Sequence, residues 1–152
     1  MTSSIRAVIA GVSLVMALTV SGCQTITQNG PDMNLDDARD QMLIHADAIT
    51  SSVGEGWTDR QRPATFNCSL PEGSGLQWTV EREGTVDGAA RAAADAVQQY
   101  FAEQGFDVRV RENSVSDIDV FAAHSEGLDI RFGAVDDGFA YLWAESVCVR
   151  DG

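Results

Sequence analysis

The chain has 152 residues, 44% of them hydrophobic, with ten Arg, no Lys, 23 Asp and Glu, and a formal net charge of −13. That length suits one domain with its own core. The acidic balance argues against a nucleic-acid partner and against docking on an anionic lipid surface, since both need basic patches; it fits a solvated face.

The first predicted element is a leader. Arg6 stands ahead of an apolar run, Ala7–Val20, which is followed by Ser21-Gly22-Cys23. A positive start, a short apolar stretch and small residues make the layout of a secretory signal peptide. A membrane-spanning helix would need about 20 apolar residues, and this run is shorter and rich in Ala, Ser and Gly. Val20-Ser21-Gly22-Cys23 resembles the lipobox of bacterial lipoproteins. The resemblance implies a diacylglycerol thioether on Cys23, cleavage before it, and a protein held by its lipid on the extracytoplasmic face of the cell membrane. The expected division is 1–22 signal peptide, 23–33 lipidated N-terminus and tether, and 34–152 a single domain. With one Arg and no acid in 1–22, the remainder keeps nine Arg against 23 acids, a net of −14. Exclusive use of Arg as the strong base, with abundant Ala, Gly, Asp and Val, reads as a high-GC, actinobacterial genome.

Gln24–Pro31 is small and polar and reads as a tether. Asn34 is placed as a helix N-cap, with Asp36 and Asp37 in the first turn, where the helix dipole favours acids. Leu35, Ala38, Met42, Ala46, Ile49 and Val53 follow at three- and four-residue spacing, one apolar stripe, until Gly54 and Gly56 stop the helix. Trp57–Arg62 reads as a loop, Ala64–Leu70 as a strand, and Pro71-Glu72-Gly73-Ser74-Gly75 as turn chemistry. Leu76, Trp78 and Val80 alternate with polar residues, as a half-buried strand should. A second helix is predicted over Asp87–Gln104, with Ala90, Ala93, Ala94, Val97, Tyr100 and Phe101 on its apolar stripe and Phe106 packing back past Gly105. Alternation then predicts strands around Val108, Val120 and Ile130, with turns at Ser125-Glu126-Gly127 and Asp136-Asp137-Gly138. Phe139–Val149 is apolar almost throughout, with Glu145 its one charge, so it reads as central or covered on both sides. The order α-β-β-α-β-β-β-β predicts an α+β domain, a mostly antiparallel sheet with both helices on one face.

With Cys23 assigned to lipid, Cys68 and Cys148 remain. In an oxidising compartment they are expected to form a disulfide joining the first strand to the last. Closing about 80 residues would stabilise the fold by roughly 4–5 kcal/mol at most in the chain-entropy model. Two Cys without nearby His make a poor zinc site, and a catalytic thiol would need a base, for which only His45 and His124 exist.

The succession of a lipobox Cys, a polar tether, an amphipathic helix, Gly56-Trp57, Cys68 in the next strand, a long helix and meandering strands ending in Cys148 resembles mycobacterial LppA-type lipoproteins. The resemblance implies a lipid anchor, a disulfide pair and an envelope location. It brings no activity and no catalytic residues.

Reactive motifs are scarce. Gly73-Ser74-Gly75 lies between strands and lacks the strand-to-helix elbow of a nucleophilic serine. Asp117-Ile118-Asp119 and Asp136-Asp137-Gly138 lack the ligand series of a calcium loop. A lone His at 45 or 124 is more often structural or solvated than a ligand, and there is no glycine-rich phosphate loop. Glu145 is the one candidate for a raised pKa and general-acid work, unless it faces solvent or pairs with Arg. No catalytic residue, metal ligand or cofactor is therefore expected. In Phe139–Val149, one face carries Phe139, Tyr141, Trp143, Glu145, Val147 and Val149, the other Ala140, Leu142, Ala144, Ser146 and Cys148. If the helices cover the small side, Phe139, Tyr141 and Trp143 form an uncovered aromatic strip for a partner; if the aromatics are core, the small residues face out. The functional expectation is a non-enzymatic binding or accessory module of the cell envelope. It would be held to the membrane through Cys23 and meet an envelope protein or apolar ligand, with no nucleic acid. The alternative is a carrier of an apolar or lipid ligand between helices and sheet, in a cavity lined by Trp78, Phe101, Phe132 and Trp143.

Overall fold

Asn34 opens the first helix as its residue type predicts. In the computed structural model, which describes residues 33–113 and 117–150, the Asn34 Oδ1 accepts from the backbone N–H groups of Asp36 and Asp37 at 2.9 Å each. Helix α1 then runs Leu35–Val53 and buries Ala38, Met42, Ala46, Ile49 and Val53, its predicted stripe. Helix α2 covers Ala90–Glu103 and buries Ala90, Ala93, Ala94, Val97 and Phe101. It starts later than the expected Asp87 because the Asp87 N–H bonds the Val53 carbonyl at 2.9 Å, tying that segment to the end of α1. Phe106 packs back on Phe101 with ring centroids 5.0 Å apart. Among the described residues no helix is long and apolar enough to cross a membrane.

The strands are β1 (Gly54–Leu70), β2 (Gly73–Val86), β3 (Asp107–Glu112), β4 (Asp117–Ala123), β5 (Asp129–Val135), β6 (Phe139–Glu145) and β7 (Val149–Arg150). They form one antiparallel sheet in the order β1-β2-β6-β5-β4-β3, with β7 also paired to β2. The chain leaves β2, crosses through α2 to the far edge and meanders back, so β6 closes centrally between β2 and β5. Both helices lie on one face, α1 over β1, β2 and β6, α2 over β3, β4 and β5. The expected class and element order hold. Val80, Val120, Ile130, Phe132 and Leu142 point to the helices and are buried. Each such side chain stabilises the fold by about 1.5–3 kcal/mol relative to exposure.

Three boundaries differ from expectation. Trp57–Arg62 belongs to β1: the register with β2 shifts after Glu55, after Asp59 and after Gln61, and each extra residue destroys the alternation by which a strand is recognised. Pro63 falls in the last shift of this edge strand, where a missing N–H costs no ladder bond. Gly73–Gly75 is strand, Leu70 pairing with Gly73 around a turn of Pro71 and Glu72. The long last strand is broken between Glu145 and Val149. Thr79 pairs with Glu145 and Leu76 with Val149, three steps on β2 against four on the returning chain.

That extra residue changes faces. Alternation put Cys148 with Ala140 and Leu142, but the flip sends Val149 to the helix side, where it is buried, and Cys148 to the other. There it bonds Cys68, with Cα atoms 5.9 Å apart. The bridge passes over Gly75 of the intervening strand, where a Cβ would sit 2.9 Å from the Cys148 sulfur.

Candidate functional site

The helices leave one face of the sheet uncovered among the described residues, and the odd-numbered side chains of β6 lie on it. Phe139 is 40% exposed, Tyr141 and Trp143 are half-buried, and Ala140, Leu142 and Ala144 are the core residues. The reading that made these aromatics core is thereby corrected. In a sheet covered on one face, the small residues of β6 leave room between helices and sheet for Met42 and Ile49 of α1, Phe101 of α2 and Phe132 of β5.

This face is concave, a trough of about 820 Å³ running from Arg60 on β1 to Asp107 and Arg109 on β3. Strand register lays its side chains in rows. One row is Glu81, Trp143, Arg131, Phe121 and Arg109; beside it run Glu83, Tyr141, Gly133, Asp119 and Arg111; on the other side run Thr79, Glu145, Asp129, Ala123 and Asp107.

One end of the trough is locked. Gly133 has no side chain, and the Tyr141 ring lies across it: a Cβ there would be 2.3 Å from the ring. The Tyr141 hydroxyl therefore reaches across β5 to β4 and donates to Asp119. Asp119, only 2% exposed, also accepts from Arg111 Nη2 at 2.9 Å and Arg131 Nη2 at 3.1 Å. Burial pushes the Asp119 carboxyl up, but the bonds from Tyr141, Arg111 and Arg131 outweigh it and hold the group below the ordinary range. Burial, then the bond to Asp119, pushes the Tyr141 hydroxyl up to about 12. The guanidinium of Arg131 lies over Phe121 at 5.1 Å and over Tyr141 at 5.3 Å, and that of Arg111 over Phe121 at 5.3 Å. Phe121 thus stands between two cations that a single buried carboxylate orients.

The other end is not neutralised. Arg109 pairs with Asp107 at 3.6 Å, and Arg60 with Glu83 of the Tyr141 row at 3.1 Å, while Glu81, Asp129 and Glu145 have no ion-pair partner among the described residues. Asp129 and Glu145 stand directly opposite each other on β5 and β6. Burial raises the pKa of Asp129. Burial first, then the charge of Asp129, raises that of Glu145 against a hydrogen bond from Gln77. Trp143, two residues before Glu145 and opposite Glu81, has neither a ring nor a guanidinium stacked on it among the described residues.

The remaining candidates are dispersed. His45 Nδ1 is 2.9 Å from the Tyr100 hydroxyl, and Phe106 sits between His45 and His124 with centroids 5.1 and 5.0 Å away. Burial first, then His124, holds the His45 pKa below its usual value, so both histidines join the packing around α1 and α2. Phe101 and Phe132 are fully buried between the helices and the sheet, while Trp143 lies on the opposite face. Trp78 donates to the Leu35 carbonyl at 3.0 Å. These four aromatics line no common cavity. Asp137 Oδ1 accepts from the Phe139 N–H in the β5–β6 turn. No group of three or more His, Cys, Asp or Glu among the described residues is arranged to hold a metal ion. Cys23 and the tether lie outside the described residues.

Sequence reasoning missed Asp119, Arg111, Arg131 and Asp129. Their strands alternate like solvated ones; the one local signal was Phe121, an aromatic residue in phase with Asp119.

Neither a family model nor a curated protein matches the sequence. Among solved structures, the crystal structure of a DUF4853 family protein from Actinomyces odontolyticus, an actinobacterium, matches with a TM-score of 0.57 at 12% sequence identity. The match covers 82% of this chain and 73% of that one. At that identity the likeness is one of fold. It names neither a lipoprotein nor an LppA-type protein.

Proposed function

We propose that this chain is a lipid-anchored protein of the extracytoplasmic face of the cell membrane, and that it works as a binding module through the trough on the open face of its sheet. The anchor is supported by the segment from Arg6 to Cys23, and the kinship with actinobacterial LppA-type lipoproteins by that segment together with the amphipathic helix, Gly56-Trp57, Cys68, the long helix and the strands ending in Cys148. The observation that carries the binding reading is the trough itself: one sheet face, concave over about 820 Å³ and floored by Phe121, Tyr141, Trp143 and Arg131, is left open by both helices. A volume of about 300–1,000 Å³ with a few placed polar groups is the usual scale of a ligand site.

A photo-reactive residue in place of Trp143, introduced in living cells, tests this reading. The control is the same residue in place of Ile44, which is 66% exposed on α1. A discrete adduct from position 143 alone is expected. The same adducts from both positions, or none from 143, reject the trough as the working surface. For the anchor, Cys23→Ala is expected to release the protein from membranes, and an unmodified Cys23 at the mature N-terminus by mass spectrometry would overturn it.

A further inference from the structure

We propose that the Trp143 end of the trough binds a small organic cation, an ammonium group carried on an apolar body, held against the indole and by the carboxylates of Glu81 and Asp129, with the charge of Glu145 directly across from Asp129. The inference rests on reading the trough as a binding site and names the chemistry of its ligand.

The argument is one of complementarity along a single trough. At the Asp119 end every aromatic face has its cation: Phe121 has Arg111 and Arg131, and Tyr141 has Arg131. The two guanidiniums there outnumber the one carboxylate, Asp119, that holds them. At the Glu145 end the balance reverses. Three carboxylates have no cationic partner among the described residues, and two of them face each other across adjacent strands. Opposed residues on one sheet face have Cβ atoms about 4.5–5.5 Å apart, and like charges placed so destabilise the pair. Beside them stands Trp143, whose indole is the strongest cation–π acceptor among the side chains and has no cation over it among the described residues.

A cation there satisfies both features at once. The apolar body is set by the trough: its apolar floor and its volume of about 820 Å³ match a small molecule rather than a bare ion. A hydrated metal ion would also want several converging oxygen ligands, and no such group of three is arranged among the described residues.

The test uses the folded, disulfide-bonded protein and two probes of nearly the same shape, 2-phenylethylammonium and the neutral 2-phenylethanol. Each is titrated at pH 7 and low salt, by calorimetry and by the indole N–H shifts of Trp57, Trp78 and Trp143. The expected result is saturable binding of the ammonium, about ten-fold or more tighter than the alcohol. Only the Trp143 indole should shift. A double variant, Asp129→Asn with Glu145→Gln, keeps the shape and is expected to lower ammonium affinity about ten-fold. Trp143→Leu is expected to lower it several-fold; should that variant fold poorly, the carboxylate variant decides alone.

Equal affinity for the alcohol, with the shift still at Trp143, overturns the cation assignment while leaving the trough a ligand site. Shifts at Trp57 or Trp78, unchanged affinity in the carboxylate variant, or no saturable binding of the ammonium each overturn it as well. Binding of the neutral alcohol with its shift at Trp143 reads the trough separately from the charge of its ligand, so failure of this inference and failure of the binding reading are distinguishable.

Discussion

Asp119 offers the sharpest test of how the trough is held. Replacing it with Asn keeps the shape and leaves an oxygen for the Tyr141 hydroxyl, but removes the charge that Arg111 and Arg131 share. Breaking a buried pair from one side costs about 3–5 kcal/mol when the orphaned charge stays buried. Here the guanidinium side chains are 59% and 38% exposed and can regain water, so a cost of about 2–3 kcal/mol is expected for Asp119→Asn. Asp119→Ala also strands the Tyr141 hydroxyl and leaves a void, and should cost about 1 kcal/mol more. For a domain of this size, 2–3 kcal/mol lowers Tm by about 8–12 °C. The folded pKa of Asp119 lies below its ordinary value. Its contribution is therefore present above the unfolded pKa of about 4 and is lost as pH falls through the folded pKa. Urea melts of wild type and Asp119→Asn from pH 7 to pH 2 should show a gap that is full at neutral pH and closes in acid. A variant within about 0.5 kcal/mol of wild type at pH 7, where ordinary surface substitutions fall, or a gap that widens on acidification, would refute the reasoning.

Three further outcomes follow from the same geometry. Replacing Cys68 or Cys148 by Ser should lower stability by about 2–5 kcal/mol, read by denaturant melts, and non-reduced protein should show no free thiol at either position. Asp129→Asn or Glu145→Gln should raise stability at pH 7 by a few tenths to about 1 kcal/mol. Both carboxyls have raised folded pKa values, so the unfolded state loses their protons first, and the gain should vanish as pH falls below the unfolded pKa of about 4. Trp143→Ala should cost about 1–2 kcal/mol with a cooperative melt, because its side chain is half-buried on the open face, whereas Phe132→Ala, fully buried, should cost about 3–5 kcal/mol; equal costs would mean that Trp143 is core.

The parts of the fold legible in the sequence are those whose period is undisturbed. The stripe from Ala38 to Val53 and that from Ala90 to Phe101 repeat at helical spacing, and Val120, Ile130 and Leu142 alternate without interruption. Legibility fails where one residue is inserted. The shifts in β1 turned a strand into an apparent loop, and the extra residue between Glu145 and Val149 moved Cys148 to the face opposite the one its parity implied. Its pairing with Cys68 was still legible, because compartment and count fix the pairing without fixing the face. The site was legible only in its β6 members. Phe139, Tyr141, Trp143 and Glu145 are neighbours in sequence, so their shared face follows from alternation. Asp119 looked like an ordinary solvated acid because Asp-Ile-Asp reads the same whether the acids meet water or arginine. What buries it is the absent side chain of Gly133, which lets the Tyr141 ring cross to it, and that meeting depends on strand register.

Register also explains why one trough has two unlike ends. Ala123 lies on the same face between Asp129 and Asp107, opposite both across its two neighbouring strands. A longer basic residue at that position would reach the unneutralised carboxylate of Asp129, as Arg111 and Arg131 reach Asp119 two rows away. The chain has arginine at 109, 111 and 131 around Ala123 and a methyl group at the position itself. The methyl leaves the floor low beside Asp129, and it leaves Asp129 facing Glu145 with neither neutralised. For stability alone that arrangement is a cost, since opposed like charges weaken a strand pair. Its effects are to keep negative potential at one end of an open, aromatic-floored trough and to keep the ring next to it uncovered. A site that recognises a cation needs both, and sites of function are where a fold commonly retains interactions that oppose its own stability.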